Sequence, residues 1–345
     1  MLNSRVMYLV MGEKCNLNCK YCNQHKNSKP KETFSPENIR KLTEYVKEQV
    51  AREGSYKILF YGGEPLIYWR EIVDMIEATK DIEGLYYGTV TNGLLLDEEK
   101  IEYINSLNGK FTFAVSWDGR NSKKTRGFDV WKTKKEILKK TPYFSAFSAV
   151  ISTNNYIMDY LNDCEEPLRE YMKAQNRLPN IYMETITSNL PNDKIAELDY
   201  EKEVLQAKEV WKEYLKGEKL AVRAFMRTLI SQIRNKKETL SPDCGCCGTG
   251  TIDVDTSLNL YSCHCFFNEK LVGTLDTPKE ELEKLFEKHL KEYKERKLTR
   301  CESCPVKAVC NGGCTMLIEE NMDTYCLSQI ARYLPIIEGI MNYAK

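Results

Sequence analysis

Hydrophobic and polar positions follow two different periods along the first part of the chain. Short apolar runs predict strands, and segments with an apolar residue every three or four positions predict helices between them. Ser35 is a typical helix N-cap, because proline follows it and Ile39 and Leu42 recur at helical spacing. The predicted strands are Val6–Met11, Lys57–Tyr61, Leu85–Thr91, Phe111–Ser116, Ser145–Ser152 and Asn180–Ile186. Further helices are predicted near Ile72–Thr79, Glu98–Ser106 and Trp131–Lys140.

The alternation of strands with helices predicts parallel βα units joined by right-handed crossovers. Six such units are fewer than a closed barrel contains. The predicted fold class is therefore α/β, with a partial (β/α)6 TIM-type barrel over residues 1–199. Bridging helices around Tyr200–Leu215 and Ala221–Ile233 are predicted within residues 200–240, and a cysteine-rich segment follows over residues 241–345.

Net charge and hydropathy exclude some classes of partner. Fifty Lys and Arg residues balance fifty Asp and Glu residues, so the net charge is formally zero. A neutral chain gives no electrostatic reason to expect a nucleic acid or a membrane surface as a partner, and we expect neither. No apolar stretch is long enough for a membrane helix, and residues 1–5 do not resemble a signal peptide. We therefore expect a cytoplasmic protein.

The cysteines indicate a different kind of partner. The chain has 14 of them, and the cytosol is too reducing for structural disulfides. Cys15, Cys19 and Cys22 form one tight group, spaced C-x3-C-x2-C. Three thiolates on one loop can each hold one iron of a cubane cluster, which leaves the last iron without a protein ligand. A structural zinc site is the alternative, but zinc needs a further ligand and only His25 lies nearby.

Short motifs stand in the cysteine loop and at the ends of the predicted strands. Tyr21 precedes the last cysteine of the loop, and the second strand ends in Gly62-Gly63-Glu64-Pro65. The third strand ends in Thr91-Asn92-Gly93, and the fourth in Ser116-Trp117-Asp118-Gly119, followed by Arg126-Gly127. Together these residues resemble the motifs of the radical SAM superfamily. Their positions agree with the resemblance, because barrel enzymes carry their catalytic loops at the carboxyl ends of the strands.

The resemblance implies that S-adenosylmethionine (SAM) binds the open iron of a [4Fe–4S] cluster held by Cys15, Cys19 and Cys22. Reductive cleavage of SAM would then form a 5′-deoxyadenosyl radical, which takes a hydrogen atom from a bound substrate. Arg126 is expected to pair with the SAM carboxylate, and Glu64 to lie beside its ammonium group. By the resemblance, the SAM-binding residues are Tyr21, Gly62, Gly63, Glu64, Asn92, Ser116 and Arg126.

The remaining cysteines resemble the SPASM domain, a cysteine-rich extension found in one branch of the superfamily. The resemblance rests on Cys301-x2-Cys304-x5-Cys310-x3-Cys314, followed by Cys326. It implies a C-terminal SPASM domain with two auxiliary clusters, and three [4Fe–4S] clusters in total. By the resemblance, auxiliary cluster I is held by Cys244, Cys247, Cys263 and Cys314, and auxiliary cluster II by Cys301, Cys304, Cys310 and Cys326.

Three aspects of this region depart from the pattern or stay open. Cys246 is an alternative to Cys244 as a ligand of auxiliary cluster I. Leu258 stands where the pattern has a glycine, although a hairpin is still predicted between Thr251–Val254 and Leu260–Ser262. A zinc ribbon is the alternative to both auxiliary clusters.

The substrate class follows from the resemblance alone. Members with this arrangement mostly modify ribosomally made peptides, by thioether or carbon–carbon crosslinks or related oxidations, and Cys263-His264 is similar to the thioether-forming branch. The alternatives are an anaerobic sulfatase-maturing enzyme that oxidises Cys or Ser to formylglycine, a zinc-stabilised binding module and an electron-transfer protein. We expect a peptide or protein substrate and an electron donor such as flavodoxin or ferredoxin. Because the first strand starts almost at the N-terminus, leader recognition would need a separate leader-binding protein; the alternative is a substrate that is not a leader peptide.

Three residues outside these sets complete the predictions. Cys265 is a candidate catalytic residue that could pass on a hydrogen atom or a proton, or serve as a spare ligand. Asp118 is the second catalytic candidate. Cys164 stands alone in the sequence and is expected to be a partly buried, inert thiol.

Overall fold

The structure, a computed structural model, describes residues 4–22, 34–185, 198–234, 250–264, 271–314 and 317–343. The chain divides into two compact units. Unit 1 comprises Met1–Asn18, Cys22–Ala114 and Ser241–Arg296, and unit 2 comprises Cys19–Tyr21, Val115–Leu240 and Lys297–Lys345. The three segments expected from the sequence, 1–199, 200–240 and 241–345, remain a prediction.

All six strands predicted from the sequence are present. Each observed strand end lies within one residue of the predicted end, wherever both positions fall among the described residues. Three further strands follow in the cysteine-rich part, and they include both arms of the predicted hairpin. The strands are β1 (Val6–Gly12), β2 (Tyr56–Gly62), β3 (Leu85–Thr91), β4 (Phe111–Ser116), β5 (Phe144–Ile151), β6 (Asn180–Thr185), β7 (Thr251–Asp255), β8 (Asn259–Tyr261) and β9 (Leu271–Thr274).

The helices alternate with β1–β6 as the pattern predicts. They are α1 (Pro36–Glu53), α2 (Trp69–Thr79), α3 (Glu98–Ser106), α4 (Ser122–Arg126), α5 (Val130–Leu138), α6 (Ile157–Gln175), α7 (Tyr200–Lys216), α8 (Leu220–Arg234), α9 (Lys279–Cys301), α10 (Lys307–Cys310) and α11 (Met322–Tyr343). Ser35 caps α1, since its Oγ accepts a hydrogen bond from Asn38 N at 3.1 Å. The pattern did not predict α6, which contains Pro167, a residue that normally argues against a helix interior. None of the helices in the described ranges is long and apolar enough to cross a lipid bilayer.

Unit 1 contains a sheet that is mostly parallel. Its strands β3, β2, β1 and β7 lie side by side in that order, and each neighbouring pair is parallel. Strands β8 and β9 continue the sheet as antiparallel neighbours beyond β7. The predicted α/β fold class is therefore confirmed. The position of β7 directly beside β1 was not predicted, because the sequence indicates β7 only as one arm of a hairpin in the cysteine-rich segment.

The two faces of this sheet differ in character, because side chains alternate along each strand. Met7 and Leu9 of β1 are fully buried and belong to the hydrophobic core. Tyr8 lies on the opposite face, where it is in register with Asp253 of β7. Tyr61 of β2 is in register with the residue two positions after Tyr8 and therefore shares its face. One face thus forms the core, and the other presents polar and aromatic side chains.

The β7–β8 hairpin has a leucine where the family pattern has a glycine. Leu258 has a φ angle of 67°, in the left-handed region, which costs an L-residue about 1–2 kcal/mol. Asp255 holds the turn, because its Oδ1 accepts hydrogen bonds from Ser257 N and Asn259 N at 2.9 and 3.0 Å. The Leu258 side chain is buried, and the burial of this apolar surface offsets the backbone strain.

In unit 2, β5 and β6 pair in parallel. Aromatic side chains form much of the core, with Phe144 and Phe147 packed edge to face at 4.9 Å between ring centres. Helix α11 packs on α7, and Arg332 of α11 forms a buried ion pair with Glu203 of α7. Arg332 Nη1 also donates to Thr185 Oγ1 at 2.9 Å. These contacts tie α11 to the carboxyl end of β6.

Candidate cofactor-binding site

The cysteine loop follows β1, and its first ligand candidate, Cys15, lies in unit 1. Leu17 N donates a hydrogen bond to Cys15 Sγ at 3.4 Å, and Asn92 Nδ2 lies 3.9 Å from the same sulfur. Burial raises the pKa of the Cys15 thiol, the charge of Glu64 adds to the effect, and the two donors oppose it. A metal ion deprotonates a coordinating thiol, and donors directed at the sulfur tune an iron–sulfur cluster. The surroundings of Cys15 therefore fit a cluster ligand.

Two glycines let the end of β2 lie against the chain that leads into the cysteine loop. Gly62 has a φ angle of 141°, and a Cβ at this position would overlap the Gly12 carbonyl oxygen. A Cβ on Gly63 would overlap the Glu13 carbonyl oxygen. Gly63 N also donates a hydrogen bond to Gly12 O at 2.9 Å. Close backbone approach therefore requires both glycines, and the groups they accommodate belong to the segment just before Cys15.

The Glu64 carboxylate joins the ends of β2 and β3. The side chain is 1% exposed, and one oxygen accepts hydrogen bonds from Thr91 Oγ1 at 2.6 Å and from Leu66 N at 3.0 Å. Its other oxygen accepts from Asn92 N at 2.7 Å. Burial raises the pKa of Glu64, and the three hydrogen bonds oppose that rise. Asn92 Nδ2 also donates a hydrogen bond to Asn16 Oδ1 at 2.7 Å. The first half of the cysteine loop and the turns after β2 and β3 are therefore joined by hydrogen bonds within unit 1. We call this set of residues the Glu64 assembly.

Asp118 is the centre of a second assembly, which lies in unit 2. Its carboxylate is fully buried and accepts hydrogen bonds from the Tyr21 hydroxyl, from Thr125 Oγ1 at 2.7 Å and from Val150 N at 3.1 Å. Arg126 contacts it twice, with Nη2 3.1 Å from Oδ1 and Nε 3.0 Å from Oδ2. The chain itself therefore engages both oxygens of this candidate catalytic residue.

The protonation states of Arg126 and Tyr21 suit this arrangement. Burial alone lowers the pKa of Arg126, but the charge of Asp118, with contributions from Tyr21 and Cys19, raises it overall, so the guanidinium stays charged. Burial raises the pKa of Tyr21 well above its usual value, so the hydroxyl remains a donor. The guanidinium also lies over the Tyr21 ring, 5.3 Å from its centre. Arg126, expected to bind the SAM carboxylate, thus forms an ion pair with Asp118 in which Nη2 donates a hydrogen bond, whereas no hydrogen-bond partner is found for Nε among the described residues. Ser116 ends β4 nearby in sequence and is partly exposed.

The cysteines predicted to hold auxiliary cluster II line one cavity within unit 2. The cavity has a volume of about 230 Å³. Cys301 ends α9, Cys310 ends α10, and Cys326 lies in α11. A sharp turn follows Cys310, where residues 311–313 all have positive φ angles. The thiols that line the cavity belong to Cys301, Cys304, Cys310 and Cys326. Their convergence fits a cubane cluster, in which each thiolate binds a different iron.

The described residues do not form a site for a single metal ion. Within the described ranges, no group of three or more His, Cys, Asp or Glu side chains is close enough to bind one metal ion. A polynuclear cluster does not need such a meeting point, because its irons lie apart and each takes its own thiolate.

The predicted ligands of auxiliary cluster I lie only partly within the described residues. Cys263 follows β8 in unit 1 and is 4% exposed. Cys314 lies in unit 2 and packs against Leu317 and Met322. This ligand set and the catalytic role of Cys265 remain predictions. The residues that lie outside the described ranges are Cys244, Cys246, Cys247 and Cys265.

Cys164 has the surroundings expected of an inert thiol. It is fully buried in α6, more deeply than the sequence suggested, and burial raises the pKa of its thiol well above the usual value. A neutral, buried thiol is a poor nucleophile and a poor metal ligand.

One side-chain cluster on the polar face of the unit 1 sheet is not predicted by the sequence. His264 Nδ1 donates a hydrogen bond to Asp253 Oδ1 at 3.2 Å. The His264 ring stacks on Tyr8 with 3.8 Å between ring centres, and it meets Tyr61 edge-on at 4.8 Å. The sequence singled out His264 only as the neighbour of Cys263. The alternation within β1 and β7 could have assigned Tyr8 and Asp253 to sheet faces, but the pairing of these strands was needed to bring them together.

Sequence comparisons agree with the motifs. Residues 9–171 match the family model described as the radical SAM superfamily. The chain is 32% identical over 178 residues to the radical SAM cyclopropyl synthase TigE of Paramaledivibacter caminithermalis, a match that covers 46% of this chain and 37% of that protein. It is 33% identical over 90 residues to a probable GTP 3′,8-cyclase of Archaeoglobus fulgidus, which covers 26% of this chain and 28% of that protein. The chain thus spans about a third of the length of these curated relatives.

The fold is also similar to solved structures of anSMEcpe. With the structure that holds AdoMet and a Cp18Cys peptide, the TM-score is 0.71 at 19% identity, and the match covers 99% of both chains. With the structure that holds AdoMet alone, the TM-score is again 0.71 at 19% identity, over 98% of this chain and 99% of that one. Fold and strand-end motifs together define a radical SAM domain. This domain occupies residues 9–171, and the fold of the chain is similar to that of anSMEcpe through the cysteine-rich C-terminal part.

Proposed function

We propose that this protein is an enzyme that binds a [4Fe–4S] cluster through Cys15, Cys19 and Cys22, holds SAM at that cluster and starts radical chemistry on a peptide. The observation that carries the proposal is the Glu64 assembly. It joins the Cys15 segment to two strand-end turns with superfamily motifs, inside the matched residues 9–171. The carboxyl ends of parallel strands are where barrel enzymes place their active sites.

The residues of the chain bind and position, and the cofactor carries the reactive chemistry. When bound and reduced by one electron, SAM supplies a radical that abstracts a hydrogen atom from the substrate. Leu17 N and Asn92 Nδ2 face the Cys15 sulfur and would stabilise negative charge on it. Gly62 and Gly63 hold the end of β2 against the cysteine loop, which keeps the motif residues at one edge of the sheet.

We further propose the two auxiliary [4Fe–4S] clusters of the predicted ligand sets, which makes three clusters in total. The cavity lined by four thiols supports auxiliary cluster II. Auxiliary cluster I rests on the resemblance, with Cys263 buried after β8 as a suitable ligand. These clusters would accept the electron that the substrate radical gives up when it is oxidised, or hold the substrate directly.

A ribosomally made peptide is the proposed substrate, modified by a crosslink or a related oxidation. The support is that anSMEcpe, whose fold the chain shares, has been solved with a bound peptide. The second candidate is the oxidation of Cys or Ser to formylglycine, which is compatible with the same fold match. The proposed partners are an electron donor such as flavodoxin or ferredoxin and a separate leader-binding protein, and the proposed location is the cytoplasm.

The cofactor proposal is tested by anaerobic reconstitution, with iron, sulfide and zinc measured per chain. The wild type should bind about twelve irons, and a Cys15→Ala/Cys19→Ala/Cys22→Ala variant about eight. Only the triple variant should lose reductive cleavage of SAM. Cys164→Ala is the matched control, because this thiol is buried and should leave the iron content unchanged. Stoichiometric zinc with little iron would refute the proposal and favour a zinc-stabilised binding module.

The substrate proposal is tested separately. The peptides encoded by genes next to this one are prepared in deuterated form and used as substrates. Transfer of deuterium from a peptide to 5′-deoxyadenosine would establish that peptide as the substrate. If SAM is cleaved but no encoded peptide donates deuterium, the peptide proposal fails while the cofactor proposal stands. A sulfatase-derived peptide that is converted to formylglycine would instead establish the second candidate.

A further inference from the structure

The hydroxyl group of Tyr21 is hydrogen-bonded to a buried carboxylate. Tyr21 lies between two of the predicted cluster ligands, and its hydroxyl donates a hydrogen bond to Asp118. One residue earlier, Lys20 N donates to Thr125 O at 3.1 Å. Two consecutive residues of the cysteine loop, both in unit 2, are therefore bonded to the segment that follows β4.

The acceptor of this hydrogen bond is held rigidly. Asp118 is fully buried, and besides Tyr21 it accepts hydrogen bonds from Thr125, Val150 and Arg126. Several donors around one buried carboxylate fix its orientation. The Tyr21 hydroxyl is therefore anchored to a point that does not move with the loop.

We propose that Tyr21, Asp118 and Arg126 are positioning residues that hold the Cys19 segment of the loop in the geometry that binds the cluster and SAM. The inference rests on the proposed function. Asp118 acts through Tyr21 and Arg126, and it does not exchange protons with the substrate, because the chain already engages both of its oxygens. Arg126 has a further effect, because its guanidinium lies over the ring of Tyr21, two residues after Cys19, and a positive charge at this place favours the reduced, more negative state of the cluster.

Tyr21→Phe is the first test, because it removes only the hydroxyl group. Tyr87→Phe is the matched control, since the Tyr87 hydroxyl is also buried and lies 2.8 Å from Thr79 Oγ1, within unit 1. Two quantities are measured. The first is the rate at which the protein loses iron to a chelator. The second is the SAM concentration needed to change the electron paramagnetic resonance signal of the reduced cluster from its SAM-free form to its SAM-bound form. Removing an outer hydrogen-bond partner of a metal ligand typically weakens the site roughly tenfold or more. Tyr21→Phe should therefore show both changes at about that size, and Tyr87→Phe should match the wild type.

Arg126 supplies a second, independent readout. Arg126→Gln should lower the midpoint potential of the SAM-binding cluster, because it removes a positive charge near Cys19. Arg126→Lys should restore most of the potential, because it keeps the charge while losing the planar fork that contacts Asp118. A purely structural role of Arg126 would leave the potential of correctly assembled cluster unchanged in both variants.

The outcomes separate the inference from the proposed function. A wild-type chain that takes up no iron refutes the proposed function, and the inference with it. A wild type that assembles its clusters, with Tyr21→Phe equal to Tyr87→Phe in both assays, overturns the inference alone. If Tyr21→Phe fails to hold the cluster, the melting temperature of the metal-free chain decides. A wild-type melting temperature supports positioning, and a melting temperature well below that of Tyr87→Phe overturns it.

Discussion

Replacing Glu203 by glutamine should destabilise the protein strongly, although the two side chains are nearly the same size. Glu203 and Arg332 are both buried, with side-chain exposures of 0% and 1%, and Glu203 Oε1 lies 2.7 Å from Arg332 Nε. Arg332 Nη1 also donates to Thr185 Oγ1 at 2.9 Å. Among the described residues, no hydrogen-bond partner is found for Arg332 Nη2 or Glu203 Oε2. The guanidinium therefore depends on one carboxylate for its charge compensation.

The magnitude follows from that dependence. Breaking a buried pair by neutralising one partner leaves an uncompensated charge and costs about 3–5 kcal/mol. Removing both charges behaves differently, because the desolvation penalty of each ion disappears together with their attraction. The Glu203→Leu/Arg332→Met double variant should therefore lie within about 1 kcal/mol of the wild type, or be more stable.

The assay is anaerobic urea unfolding of the metal-free chain, followed by far-ultraviolet circular dichroism. Glu201→Gln is the control, since Glu201 is exposed on the same helix and should change the stability little. A loss of less than about 1 kcal/mol in Glu203→Gln would refute the reasoning. So would a double variant that is less stable than the single one.

Three further predictions concern the hairpin, the sheet and auxiliary cluster II. Leu258→Ala should destabilise the protein by about 2–4 kcal/mol. Leu258→Gly should cost no more stability than Leu258→Ala, because glycine relieves a left-handed backbone strain worth about 1–2 kcal/mol. A urea midpoint of the glycine variant clearly below that of the alanine variant would contradict this. Burial lowers the pKa of Lys57, so the folded chain loses this proton at a lower pH than the unfolded chain. The contribution of Lys57 to stability then rises with pH between those two pKa values. At neutral pH, Lys57→Met should therefore be more stable than the wild type, and this difference in stability should shrink in alkaline solution. A difference in melting temperature that stays constant across a pH series would count against the prediction. Cys310→Ala should lose about four irons while the SAM-binding cluster is retained, and an unchanged iron content would remove Cys310 from the ligand set.

Much of the fold could be predicted from the sequence, because the signals that define single elements are local. The cap at Ser35, the strand ends and the βα alternation all appear within a few residues of the element they define. The missed helix, α6, shows the limit of this approach. Pro167 lowers the helical signal locally, but packing of the surrounding apolar side chains keeps the helix intact.

The candidate site was predictable in its residues but less so in their roles. Gly62, Gly63 and Glu64 were identified from their motif, and the structure shows the backbone contact and the hydrogen bonds that require them. Asp118 and Arg126 were identified as separate groups, one catalytic and one SAM-binding. Their mutual pairing could not be read from the sequence, because a carboxylate and a guanidinium in the same segment after a strand can pair or remain apart.

By itself, the sequence determined the alternation of strands and helices, the positions of the motifs at strand ends and the grouping of the cysteines. These features depend on periodicity, capping and spacing, which act between residues close together in the chain. Only the tertiary structure decided that β7 lies beside β1, that His264 stacks on Tyr8, and that Asp118 receives the Tyr21 hydroxyl. Such contacts join residues far apart in sequence. They arise because buried polar groups must find partners, and which partners they find depends on strand register and packing.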